Sequence, residues 1–323
     1  MKLTPLLVLV FSAILSATAV AADAPKKIVF IAGRASHGPG EHEHRAGSML
    51  LQKCLAGIPG ITTEVHTNGW PTKLQEDGTR VDDHAALAGA DAIIIYSDGG
   101  RGHPALVRDH LAVLGEHMQR GTGLGLIHYA VEPTLEKGQK EFLDWVGGAF
   151  EIKWSVNPHW QAEFAQLPGH AVSRGVKPFS TNDEWYFNLR FRDAMKGITP
   201  VLTAVPPAST MSRADGDHEG NPGARAAVAK GTPQTVMWVS ERAGNGRGFG
   251  FTGGHFHVGW KDDNQRKLVL NAILWIAHLD VPVDGVASTV TAEDLAANLD
   301  AKRPRPAPAA PAAPATPPAP VAP

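Results

Sequence analysis

Residues 92–100 read Ala92-Ile93-Ile94-Ile95-Tyr96-Ser97-Asp98-Gly99-Gly100. An apolar run without alternation, β-branched and cut by a polar turn, predicts a strand buried on both faces, as in a parallel sheet. The pattern recurs upstream in Lys27 to Ala32, which breaks at Gly33, and downstream in Gly123 to His128, which runs into Tyr129. Ile61 to His66 alternates like a further strand. Ala46 to Leu55 has helical periodicity, and Pro104 is placed to open a helix through His117. Strands and helices alternating at this spacing predict right-handed βαβ units and a parallel sheet covered on both faces. Residues 151–205, aromatic and broken by proline, read as an antiparallel or irregular insertion. Thr235 to Val239 and Gly248 to Thr252 read as a return of the parallel theme. A last helix, capped by Asp262 or Asp263, places Leu268, Ala272, Trp275, Ile276 and Leu279 on one face. The expectation is one α/β domain over residues 26–285.

The chain has 323 residues, 43% of them hydrophobic, and a formal net charge of −2. That excludes a wholly disordered chain and gives no electrostatic pull toward nucleic acid. Its 15 histidines and single Cys54 exclude a disulfide scaffold and a thiolate metal site. A metal here would be held by nitrogen and oxygen. Lys2, the apolar run Leu6 to Ile14 and the small-residue site Ala19-Val20-Ala21 predict a signal peptide over residues 1–21 and a periplasmic or secreted protein. The run is short for a bilayer span, so no membrane span is expected after cleavage. From Arg303 the chain is almost only Pro and Ala, which predicts a disordered extended tail over 303–323.

Ligands in open parallel sheets bind beyond the carboxyl ends of the strands. Four of the predicted strands end there in polar clusters: Ser36-His37-Gly38-Pro39-Gly40-Glu41-His42-Glu43-His44, Asp98, His128-Tyr129, and Gly253-Gly254-His255-Phe256-His257. Imidazole with carboxylate suits a divalent metal such as zinc, and equally a metal-free site of proton-transferring histidines. Alternate residues of an extended segment face opposite ways. One member of each His-x-His pair is therefore expected in the cleft, making His37, His42 or His44, His128 and His255 the candidate metal ligands. His128 and His255 also stand as candidate catalytic groups. The segment Asp183-Glu184-Trp185-Tyr186-Phe187-Asn188-Leu189-Arg190 adds Glu184 as a candidate acid or base. Asp98, Tyr129, Asp183, Trp185, Tyr186, Arg190 and His257 are candidate substrate contacts, although Trp185 and Phe187 read equally well as core. His66, His84, His103, His110, His117, His159, His170, His218 and His278, with no carboxylate cluster beside them, take a structural reading. No G-x-G-x-x-G or P-loop lysine follows the first strand, so no nucleotide is expected. The corner where related folds raise a Ser or Cys nucleophile carries His128 instead.

Ile31-Ala32-Gly33 leading into the His-rich loop, Gly125-Leu126-Ile127-His128-Tyr129-Ala130, Asp183 to Tyr186, and Gly254 to His257 together resemble the ThuA-like (trehalose utilisation) family over residues 27–280. The resemblance implies a flavodoxin-like fold similar to the class I glutamine amidotransferase domain, without its nucleophilic cysteine. It also implies work on disaccharides or glycosides, as 3-keto sugars supplied by a partner dehydrogenase. A carbohydrate-processing enzyme that hydrolyses, eliminates or isomerises is one expectation. A non-catalytic sugar-binding or adaptor protein is the alternative.

Overall fold

The computed structural model describes residues 24–303, so the expected signal peptide and nearly all of the expected tail lie outside the described residues. The elements that frame the site are β1 (Lys26–Ala32), α1 (His44–Leu55), β2 (Ile61–His66), β3 (Ala90–Tyr96), α2 (His110–Gln119), β4 (Gly123–Ile127) and α3 (Gln139–Trp145). They are followed by β5 (Trp160–Phe164), β6 (Phe179–Asp183), β7 (Ile198–Ala204), α4 (Pro222–Ala229), β8 (Gln234–Glu241), β9 (Arg247–Phe251), α5 (Asp263–Ile276) and the short α6 (Ala292–Ala296). Seven strands form one sheet in the order β7-β8-β9-β4-β3-β1-β2. The fold is mixed α/β, with a mostly parallel central sheet of the flavodoxin-like type.

The apolar runs form the centre of this sheet because their backbone bonds are met on both edges and their side chains on both faces. Ile28, Phe30, Ile94 and Tyr96 pack with α1 and α5 on one face, and Val29, Ile31, Ile93 and Ile95 with Leu114 and Phe142 on the other. Asp262 caps α5, its carboxylate accepting from the N–H groups of Asn264 and Gln265.

The direction of one predicted strand needs correction. β8 runs antiparallel to both β7 and β9, whereas β9 pairs with β4 in parallel. The expected insertion also ends earlier than residue 205. β5 and β6 form its antiparallel hairpin, but β7 is an edge strand of the main sheet. The helix expected from Pro104 breaks into a turn at Pro104–Leu106 and α2, since Arg108 adopts a left-handed φ of 51° between them.

Candidate functional site

The loop after β1, the corner after β4, the segment after β6 and the turn after β9 meet beyond the carboxyl ends of the parallel strands. Among the described residues, His42, His128, Glu184 and His255 each offer a ligand atom within 4.8 Å of all the others. His42 Nε2 lies 3.0 Å from His128 Nε2 and 3.0 Å from His255 Nδ1. Glu184 Oε2 is 3.2 Å from His255 Nδ1 and 3.5 Å from His128 Nε2. All three imidazoles are buried.

Outer contacts fix how these rings are protonated. His42 Nδ1 is 2.7 Å from Asp98 Oδ1, and His128 Nδ1 is 2.8 Å from the Thr252 carbonyl. Both oxygens can only accept here, so each Nδ1 carries the proton and each neutral ring turns a bare Nε2 toward the other. Burial lowers the pKa of both rings, most strongly at His128, and so favours the neutral form. Burial alone would raise Glu184, yet hydrogen bonds from His159 and His255 hold its carboxyl well below the usual carboxylate range. Tyr186, buried beside them, donates to Glu184 Oε2 and stands 3.2 Å from His128 Nε2.

Donor chemistry and spacing fit a divalent cation. A tetrahedral ion with ligands at about 2.0–2.2 Å sets neighbouring ligand atoms about 3.3–3.6 Å apart, close to the separations here. Carboxylate-held imidazole is also the usual outer arrangement of a metal-ligating histidine.

Local backbone explains the aim of these groups. His37, His42 and His128 all have left-handed φ, at 57°, 45° and 58°. At His128 this is the sharp corner where β4 stops at Ile127, one residue earlier than the sequence suggests. Asp183, fully buried, accepts from the N–H groups of Glu184, Gly254 and His255, so it shapes the turns that carry Glu184 and His255. Its place is beneath the site, where it does not face a substrate.

Other candidates fall elsewhere. His37 stacks on His42 at 3.5 Å between ring centroids and stays partly exposed, outside the four-residue group. His44 starts α1 and turns Nδ1 to the Arg34 carbonyl, while Nε2 is 3.7 Å from Asp98. His257 is buried toward Glu43, away from the cluster. Trp185 is core, packed edge-on to Phe164 and Phe251, and cannot stack on a sugar. Arg190 is held by Glu151 through two hydrogen bonds and lies over Trp154. Tyr129 remains at the rim, edge-on to His42 and Tyr186.

Two histidines with a structural reading stand at the site instead. His159 is 3.5 Å from Glu184 Oε1 and packs on His255, and the Glu184 hydrogen bond raises its pKa. His218 is 2.8 Å from buried Glu132 and edge-on to Tyr129, and its pKa is raised by the Glu132 hydrogen bond. A cleft lined by Arg34, Trp70, Asp98, Arg101 and His110 opens on the other side of Asp98. No helix among the described residues is long and apolar enough to cross a membrane.

Two solved structures share the architecture. A ThuA-like protein from Bacteroides uniformis aligns with a TM-score of 0.55 at 15% identity, over 82% of this chain and 97% of its own. A ThuA-like protein from Parabacteroides merdae aligns with a TM-score of 0.50 at 15% identity, over 84% and 99%. No curated protein sequence matches. The ThuA family, described as trehalose utilisation, matches residues 33–276, and the chain belongs to that family of sugar-utilisation proteins.

Proposed function

We propose that this is an exported enzyme acting on an oxidised (3-keto) disaccharide or glycoside supplied by a sugar dehydrogenase, with His42, His128, His255 and Glu184 as its reacting centre. One observation carries the reading: two neutral imidazoles, locked by Asp98 and by the Thr252 carbonyl, aim bare nitrogens at each other 3.0 Å apart beside a carboxylate. Lone pairs so placed repel unless a proton or a cation lies between them. His42, His128, His255 and Glu184 would hold a divalent ion, which when bound polarises a carbonyl oxygen.

The remaining steps belong to side chains. A 3-keto group acidifies the neighbouring C2–H. Glu184 removes that proton, or His128 does so where no ion occupies its Nε2, and the electron pair expels the glycosidic oxygen from C1. His159 or His218, each held more basic than ordinary imidazole by its carboxylate, returns a proton to the departing oxygen. Hydrolysis and isomerisation draw on the same base and acid. Tyr129 and Tyr186 wall the centre.

Turnover of a 3-keto disaccharide by the wild-type protein and by Glu184→Gln and His128→Ala tests the reading. The expected result is a loss of about 100-fold or more in kcat with sugar binding retained. Tight binding of plain and keto sugars without turnover by the wild type would instead identify an adaptor. Elemental analysis of protein purified with and without chelator tests the metal.

A further inference from the structure

Residues 277–302, which follow α5, stay against the domain. Val281 and Val286 are buried, Thr291 and Asp294 form a capping box on α6, and Lys53 of α1 pairs with Asp294. Arg45 of α1 donates to the Asn298 carbonyl at 3.0 Å. The segment then delivers Lys302 to the His-rich loop. Its side chain is only 4% exposed and faces Glu43, 1% exposed, at 3.2 Å. The ammonium has three protons and finds three acceptors: Glu43 Oε1, the Glu41 carbonyl, and the His42 carbonyl at 3.1 Å. Glu43 is satisfied in turn by the N–H groups of Gly40 at 3.0 Å and Asp300 at 2.9 Å. A buried ion pair is costly unless its protons and lone pairs are met, and here the ammonium is met wholly by the loop that presents His42, while the carboxylate is met by that loop and by Asp300. His42 sits in a left-handed conformation that a side-chain-bearing residue keeps only when its surroundings impose it.

We infer that residues 286–302, which follow the family match, form a clasp belonging to the His-rich centre, with Lys302 as the positioning residue that fixes the backbone, and so the ring direction, of His42. The affinity readout below rests on the metal reading of that centre; the exchange readout does not.

Lys302→Met in the full chain is expected to weaken zinc binding, measured by competition with a chromogenic chelator, by about tenfold or more. It should also speed amide hydrogen exchange at Gly40 to His44 while β1 and β3 stay protected. Glu43→Gln with Lys302→Met removes the stranded carboxylate, so a loss that persists in the pair arises from the freed carbonyls. Lys53→Met, which cuts the clasp at another tether, is expected to leave affinity and loop exchange as in the wild type. Wild-type affinity and exchange in both Lys302 variants would overturn the inference, as would an equal effect of Lys53→Met. A wild-type protein that takes up no zinc would sink the metal reading while loop exchange still decides the clasp.

Discussion

Asp98 shows how one carboxylate sets the chemistry of a ring it does not share with a ligand. By accepting a hydrogen bond from the Nδ1–H of His42, as it does from Ser36, it leaves Nε2 bare toward the centre. Asp98→Ala removes that acceptor, and zinc affinity is expected to fall about 10–100-fold with circular dichroism unchanged. Unaltered affinity would show that the carboxylate does not orient the ring. Much of the cluster was legible residue by residue, since His42, His128, His255 and Glu184 stand at predicted strand ends or beside paired carboxylates. His159 and His218 were not. Their carboxylates, Glu184 and Glu132, lie 25 and 86 residues away in the chain, and only the folded loops bring each pair together. Trp185 and Arg190 misled for the opposite reason, because sequence neighbourhood to Glu184 does not place a side chain on the same face.

Strand by strand, the buried runs announced themselves because a parallel strand needs apolar residues on both faces. Direction is different. Val236 to Val239 are buried whichever way β8 runs, so composition carries no sign of its reversal. β8 also explains a small residue next door: a methyl group on Gly250 of β9 would overlap the indole of Trp238. Gly250→Ala is therefore expected to cost about 1–3 kcal/mol, seen as a lowered midpoint in thermal unfolding. An unchanged midpoint would mean that the indole moves freely, contrary to its full burial and its hydrogen bond to the Val146 carbonyl.

Across the whole molecule, buried neutral imidazole makes stability depend on acidity. Burial lowers the pKa of His44 to about 3 and of His103 to about 4, against 6.5 in the unfolded chain. Between pH 6.5 and about 4 the unfolded chain holds protons that the folded one does not. Stability is therefore lost as pH falls, by about 1.4 kcal/mol per pH unit for each such group. Calorimetry from pH 7 to 4.5 should show a steadily falling midpoint, and a flat profile would contradict the buried neutral rings. The left-handed backbone at His37 has a further consequence. Its ring is only partly exposed and stacks on His42, so glycine there would relieve about 1 kcal/mol or more of backbone strain at the loss of that one stacked contact. A laboratory selection that rewards heat resistance alone is expected to enrich glycine at that position, whereas one that rewards the activity proposed for His42 and its neighbours is expected to retain the imidazole stacked on His42. The two regimes would push one codon in opposite directions.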